Sequence, residues 1–242
     1  MERWLGAALD YIPQWLDFQM RAYERPGCIA AIAHRGKLVW ERAWGFADLG
    51  RGEALTPRHR FRVASHSKSF TAAGVLRLRE RGKLLLDDAV GQYVSGLERG
   101  VAATTIAQLL SHSAGLRRDM PDGGYFSDRR PYPSPAELGD LLAATPPAIE
   151  PNPRFKYSNV GYALAGRLVE AVAGALYADW IGREVIAAAG LSETVPDMPL
   201  PKRVPMARGH SGRILLGRGM EGRAGGKYRD KESSHPSREF LA

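Results

Sequence analysis

An α+β architecture, with a helical lobe over about residues 70–190 and an antiparallel sheet beside it, is what the 242-residue sequence predicts. Three observations carry that expectation. A short apolar run at 27–34 is followed by a turn and by strict alternation through 37–46, the pattern of a β-hairpin. From His66 to Gly190, helix starts and stops recur in local code, with Ser or Thr before the apolar period and Gly after it. The overall composition, 44% hydrophobic and 25% charged, is that of a globular protein long enough for one large domain or two small ones.

The elements follow in order. Trp4, Leu5, Ala8, Ile12, Trp15, Leu16 and Met20 recur at three- and four-residue spacing, so residues 2–22 read as amphipathic helix, with Pro13 starting a second segment where its missing N–H matters least. Gly27–His34 and Lys37–Phe46 form the hairpin about Arg35-Gly36. Its alternation places Leu38, Trp40, Trp44 and Phe46 on one face. A Gly-rich loop covers 50–57 and a short extended stretch 61–64. A helix is expected from about His66 to Arg81, closed by Gly82. Thr105 and Gln108 have capping-box spacing for a helix reaching about His112. Residues 117–133 are a polar loop, and Ser134-Pro135-Ala136-Glu137 is a clear helix start. Two more helices, about 160–173 and 176–189, end at Gly174 and Gly190.

Several classes of protein are excluded at once. The formal charge of +8 is concentrated at the end. Residues 201–242 hold ten Lys/Arg and four Asp/Glu, and the rest of the chain is nearly balanced. No nucleic-acid motif accompanies that charge, and Tyr228 and Phe240 are too few for a stacking platform, so no nucleic-acid partner is expected. Residues 209–226 contain seven glycines, and no Val, Ile or Leu lies between Leu216 and Leu241. Such composition predicts a loose basic tail over 201–242, after a main domain at 1–200. The single Cys28 has no partner for a disulfide, and no Cys/His spacing suits a metal, so neither metal nor cofactor is expected. No apolar run has the length of a membrane span, and Met1-Glu2-Arg3-Trp4 opens no signal peptide. The expectation is a cytoplasmic protein without membrane partners, or a periplasmic one if the first residue is not the native start.

Two segments carry candidate chemistry. In Ser65-His66-Ser67-Lys68 the spacing puts Lys68 one helical turn from Ser65, on the same face. A serine needs an adjacent base to become a nucleophile, and a partly desolvated lysine can serve. Read alone, the same residues serve equally as a helix cap and a solvated first-turn lysine. Tyr157-Ser158-Asn159, read alone, is a buried ring followed by a cap, Asn159, for the helix behind it. Gly209-His210-Ser211-Gly212 misses the nucleophile elbow, and none of the six histidines has metal-ligand spacing.

Together these segments form a recognisable series. Phe61-Arg62-Val63-Ala64-Ser65-His66-Ser67-Lys68-Ser69-Phe70-Thr71-Ala72 resembles the nucleophile motif of the serine β-lactamase and penicillin-binding-protein superfamily, in the branch of class C β-lactamases, D,D-peptidases, D-aminopeptidases and β-lactamase-type esterases. Leu109-Leu110-Ser111-His112-Ser113-Ala114-Gly115-Leu116 resembles a structural landmark of that branch, and Tyr157-Ser158-Asn159 with its flanks resembles the Tyr-x-Asn motif. Order and spacing agree over about residues 8–210. The resemblance implies a β-lactamase/transpeptidase-like fold, with an antiparallel sheet, flanking helices and a helical lobe. It also implies that Ser65 is acylated, that Lys68 and Tyr157 share the proton transfers, that Asn159 bonds Lys68 or a substrate amide, and that Ser65 N–H is half of an oxyanion hole.

The pattern breaks at the third motif, Lys-Thr-Gly or His-x-Gly. His210 and Gly212 fit its letters but stand only 53 residues after Tyr157, before Arg- and Gly-rich sequence without a strand pattern. The chain thus reads as the first part of such a domain with an unrelated ending and an incomplete sheet. The function expected is acyl transfer to water from a small ester, a β-lactam or a D-amino-acid peptide. The alternative is an impaired relative that binds or slowly acylates without turnover. An incomplete sheet would leave one hairpin edge unpaired, so dimerisation or aggregation through residues 27–46 is expected.

Overall fold

The computed structural model describes residues 2–119, 133–151, 154–196, 205–212 and 228–230. They fall into two compact units. The first takes the described residues of Met1–Arg62 and Pro201–Glu232, and the second those of Val63–Leu200.

The first unit opens with α1 (Arg3–Ala22), a single helix. Pro13 lies inside it rather than starting a second segment. One missing N–H does not end a helix whose apolar face continues on both sides of it. The hairpin β1 (Gly27–His34) and β2 (Lys37–Asp48) closes through Arg35 and Gly36. Both turn residues have positive φ, at 51° and 74°, as a two-residue turn matching strand twist requires. Ile32 pairs with Trp40 but Ala33 with Leu38, so Val39 is an extra residue in β2. That bulge corrects the expected face: cross-strand pairing sets Leu38 opposite to Trp40, because an inserted residue inverts the alternation beyond it. Trp40 and Trp44 remain together, half-buried, with ring centroids 5.9 Å apart.

The short β3 (Glu53–Ala54), within the stretch expected to be loop, adds to β2 and makes the strand order β1-β2-β3. The late segment is tied to the same unit. Arg60 N–H donates to Pro205 O at 2.9 Å, Ala207 N–H to Arg60 O at 2.8 Å, and Arg208 N–H to Ala47 O at 2.8 Å. Beyond it β4 (His210–Gly212) pairs antiparallel with β5 (Tyr228–Asp230). The sequence contains no alternating pattern there. A three-residue ribbon is held by backbone bonds and needs none.

The second unit is the helical lobe. Ala64–His66 forms a 3₁₀ turn that leads into α2 (Ser67–Glu80). Val63 and Ala64 are therefore not extended, and Ala64 takes a φ of 44°. After α2 come α3 (Arg99–Ala102), α4 (Ile106–Leu110), α5 (Pro135–Ala144), α6 (Asn159–Ala173) and α7 (Tyr177–Ile181). Capping boxes are formed at Thr105 with Gln108 and at Ser134 with Glu137, and Gly174 ends α6 at φ 64°. The α4 helix stops at Leu110, short of His112, and α7 turns into a π-helical segment, Gly182–Ala187. The cap of α6 is Ser158, not Asn159: Gly161 N–H donates to Ser158 Oγ at 2.8 Å. Asn159 is thereby freed for another partner.

The α6 helix is buried almost all round, and packs on α2, α4 and α7. Val75, Leu78, Ile106, Leu109, Leu164 and Leu168, each at most 1% exposed, form the centre of the core. Gly115 matters because of where its missing side chain would be. Its φ is 70° and a Cβ would meet Ile149 O at 2.0 Å, while its own carbonyl accepts from Ala148 N–H at 2.8 Å. Gly115→Ala should lower stability by about 2–4 kcal/mol in denaturant unfolding, through both strain and displaced backbone. A loss within the surface-substitution range of roughly 0.5 kcal/mol would contradict this close approach.

Candidate active site

Ser65, Lys68, Tyr157 and Asn159 all lie in the second unit, and the structure brings them together. Ser65 sits exposed in the 3₁₀ turn, directly after the left-handed Ala64. A non-glycine residue in that region is uncommon and stores strain, which here turns the chain so that Ser65 precedes the first turn of α2. Lys68 is 7% exposed, one turn in.

The hydroxyl of Ser65 is 2.6 Å from the Tyr157 hydroxyl, a bond in which either can donate. Lys68 Nζ donates to Asn159 Oδ1 at 2.7 Å. It also lies 5.1 Å from the centre of the Tyr157 ring and 5.7 Å from that of Tyr162. Asn159 Nδ2 donates in turn to Asp119 Oδ1 at 2.6 Å. The chain of contacts thus runs from Ser65 to Tyr157 and Lys68, then through Asn159 to a carboxylate.

Burial raises the pKa of the Tyr157 phenol, but other groups outweigh it. Hydrogen bonds from Lys68 and Ser65, and the charges of Lys68 and Arg118, favour the phenolate and bring the pKa below its ordinary value. The Arg118 guanidinium lies 5.5 Å from the ring centre and pairs with Asp119 at 3.3 Å. The shift of Tyr157 is thus in the direction that favours its phenolate form.

Arg118 and Asp119 were hidden in a polar loop, where nothing in residue spacing distinguishes them from solvated charges. Tyr162 also escaped sequence reasoning, since at helical period it reads as core. His210 and Gly212 belong to the first unit, on β4, and His210 Nε2 accepts from Leu49 N–H at 3.3 Å. Among the described residues no group of three or more His, Cys, Asp and Glu is placed to share a metal ion, and no helix is long and apolar enough to cross a membrane.

A serine on a strained turn, a buried lysine one turn on and a tyrosine of lowered pKa thus meet at one place in the helical lobe. Comparison with known proteins gives the family. The beta-lactamase family model matches residues 12–227, and the chain belongs to that family. Its fold is accordingly β-lactamase/transpeptidase-like, and the described residues include both helices and a small antiparallel sheet. The chain is 33% identical over 167 residues to penicillin-binding protein 4* of Bacillus subtilis, a match covering 67% of this chain and 36% of that one. It is 30% identical over 189 residues to a D-aminopeptidase of Brucella canis, covering 74% and 35%. Among solved structures, the octameric penicillin-binding protein homologue from Pyrococcus abyssi superimposes with a TM-score of 0.72 at 25% identity, over 84% of this chain and 48% of that one. The chain thus spans about a third of the length of these curated relatives.

The electrostatic argument is testable by carbon NMR of the tyrosine rings, with Tyr157→Phe assigning the signal. Tyr157 should ionise below about 10, the ordinary phenol value. Lys68→Met should raise that pKa, because burial then meets less opposition. Titration of Tyr157 at or above the ordinary value in the unaltered protein would contradict the reading.

Proposed function

We propose that this chain is a serine acyl hydrolase acting through an acyl-enzyme on a small ester or amide, such as a β-lactam or a D-amino-acid peptide. The observation that carries the proposal is the 2.6 Å bond between Ser65 Oγ and the phenol of lowered pKa, with Lys68 buried behind it. Ser65 Oγ attacks the carbonyl carbon and its proton passes to the Tyr157 phenolate. The Ser65 N–H, near the start of α2, favours the negative charge that develops on the carbonyl oxygen. Collapse breaks the bond to the leaving group, which takes the proton from Tyr157. A water molecule then attacks acyl-Ser65 by the same steps in reverse order. Lys68 shares the proton transfers and Asn159 holds it in place. The printed activities of two relatives, penicillin binding and D-aminopeptidase, favour an acyl donor with a small amide or lactam carbonyl.

A second reading, in which acylation outruns deacylation, is favoured by His210. Its Nε2 accepts from Leu49 N–H, an engagement that favours a site working without the third motif's imidazole. One oxyanion donor fewer costs roughly 10²–10³ in rate. Incubation with a fluorophosphonate, and separately with a penicillin, should add one acyl or phosphonyl mass, mapped to Ser65 and absent in Ser65→Ala. Hydrolysis of an aryl ester should be feeble by about that same factor. Labelling of Ser67, Ser113 or Ser211 instead would overturn the mechanism, and brisk turnover would overturn the second reading.

We also infer self-association through residues 27–46. Among the described residues β1 pairs with β2 alone. Its sequence, GCIAAIAH, contains none of the lysines or prolines that blunt an edge. Leu38 and Phe46 are exposed beside it, at 58% and 43%. Antiparallel pairing of β1 with β1 of a second copy closes on itself and so stops at a dimer. Sedimentation should show a dimer fraction rising with concentration, and Ala31→Lys should lower it. A monomer at all concentrations would refute the interface.

A further inference from the structure

We infer that His112 is a positioning residue for Tyr157, and that loss of its acceptor nitrogen on protonation switches the site off in acid. The inference rests on the acyl-hydrolase reading above but concerns a residue that reading does not use. His112 follows α4 with a φ of 58°, and from there it holds both neighbours of Tyr157. Its backbone carbonyl accepts from Lys156 N–H at 2.7 Å, and its Nδ1 accepts from Ser158 N–H at 3.1 Å. Its ring also lies on Tyr157 itself, with centroids 4.6 Å apart, and against Tyr162 and Phe155 at 5.0 and 5.5 Å. Backbone on either side and the ring between are thus fixed by one residue.

The chemistry of the Nδ1 contact is one-sided. A backbone N–H can only donate, so the imidazole must present a bare nitrogen, and its proton belongs on Nε2. Protonation at Nδ1 sets two donors face to face and breaks the bond. The charged and titratable groups that face the imidazole are Lys68 from α2, Tyr162 from α6 and Tyr157 from the segment before α6. Lys68 makes an added positive charge unfavourable. Burial, and then Lys68, accordingly hold the imidazole pKa below its ordinary value, which keeps the acceptor form at neutral pH. Ser158 spreads the effect. Its Oγ caps α6 and donates to Arg117 O at 2.5 Å, so release of its N–H loosens the start of the helix that carries Asn159.

The test follows the second-order rate of fluorophosphonate labelling at Ser65 against pH, on the full chain, over the range where circular dichroism shows it folded. With one proton-accepting group, the logarithm of the rate rises with a slope of about one per pH unit below that group's pKa. The His112 switch makes it steepen to about two below the imidazole pKa, since two protons must then be lost. His112→Asn keeps an acceptor oxygen and tolerates positive φ, so its profile should stay at about one throughout. His112→Ala should label about tenfold more slowly at neutral pH, with Asn restoring most of the loss. Nitrogen NMR of the imidazole supplies a readout independent of labelling: Nδ1 should be bare and Nε2 protonated at neutral pH. Superimposable profiles for the unaltered protein and His112→Asn, or a protonated Nδ1, would overturn the inference and leave the acyl-hydrolase reading standing. Absence of labelling at Ser65 in the unaltered protein would instead defeat that reading, and the nitrogen shifts would still decide the contact.

Discussion

The buried amino group of Lys68 is the constraint on which the second unit depends. A lysine at 7% exposure must have partners, because an ammonium without them is among the costliest groups to bury. Asn159 Oδ1 supplies one, and the faces of Tyr157 and Tyr162 supply the rest of its surroundings. All three partners lie on α6 or in the segment just before it, so meeting the needs of one side chain on α2 also fixes how α2 and α6 pack. The same arrangement leaves the Tyr157 hydroxyl directed at Ser65. Structure and chemistry here share one interaction.

The backbone around that interaction is unusual at two points. Ala64 and His112 both take positive φ without being glycine, at 44° and 58°. Each costs of order 1–3 kcal/mol, and each lies one step from the site. Ala64 turns the chain at Ser65, whereas His112 turns it back from α4 toward the residues that flank Tyr157. Such strain persists only where the surroundings over-determine it. The bonds from Lys156 N–H and Ser158 N–H to His112 are that surrounding.

The first unit is governed by a different economy. Its hairpin has a strong local code, but Trp4, Tyr11, Trp15 and Phe18 along α1 remain 46–64% exposed, and Leu38 and Phe46 on β2 are exposed as well. These are the large apolar side chains available to the self-association proposed above. The contrast with the second unit, where α6 is enclosed almost completely, is a contrast between a closed core and an open one.

What the sequence determined by itself is everything written over a few neighbouring residues. The capping boxes at Thr105 and Ser134, the stops at Gly82 and Gly174, the turn at Arg35-Gly36 and the motif spacing of Ser65 and Lys68 are short-range, and each is readable because its partners are three or four positions away. Tertiary structure decided what depends on distant partners. It carried α1 through Pro13, inserted Val39 as a bulge that turned Leu38 off the tryptophan face, and paired β4 with β5 without any apolar alternation to announce it. It made Ser158 the cap and so released Asn159 for Lys68, and it drew Arg118 and Asp119 out of an unremarkable polar loop. The physical reason is the same throughout: a contact between residues far apart in the chain has no periodicity, and only tertiary packing, as of α2 against α6 for Lys68 and Asn159, brings its two ends within reach.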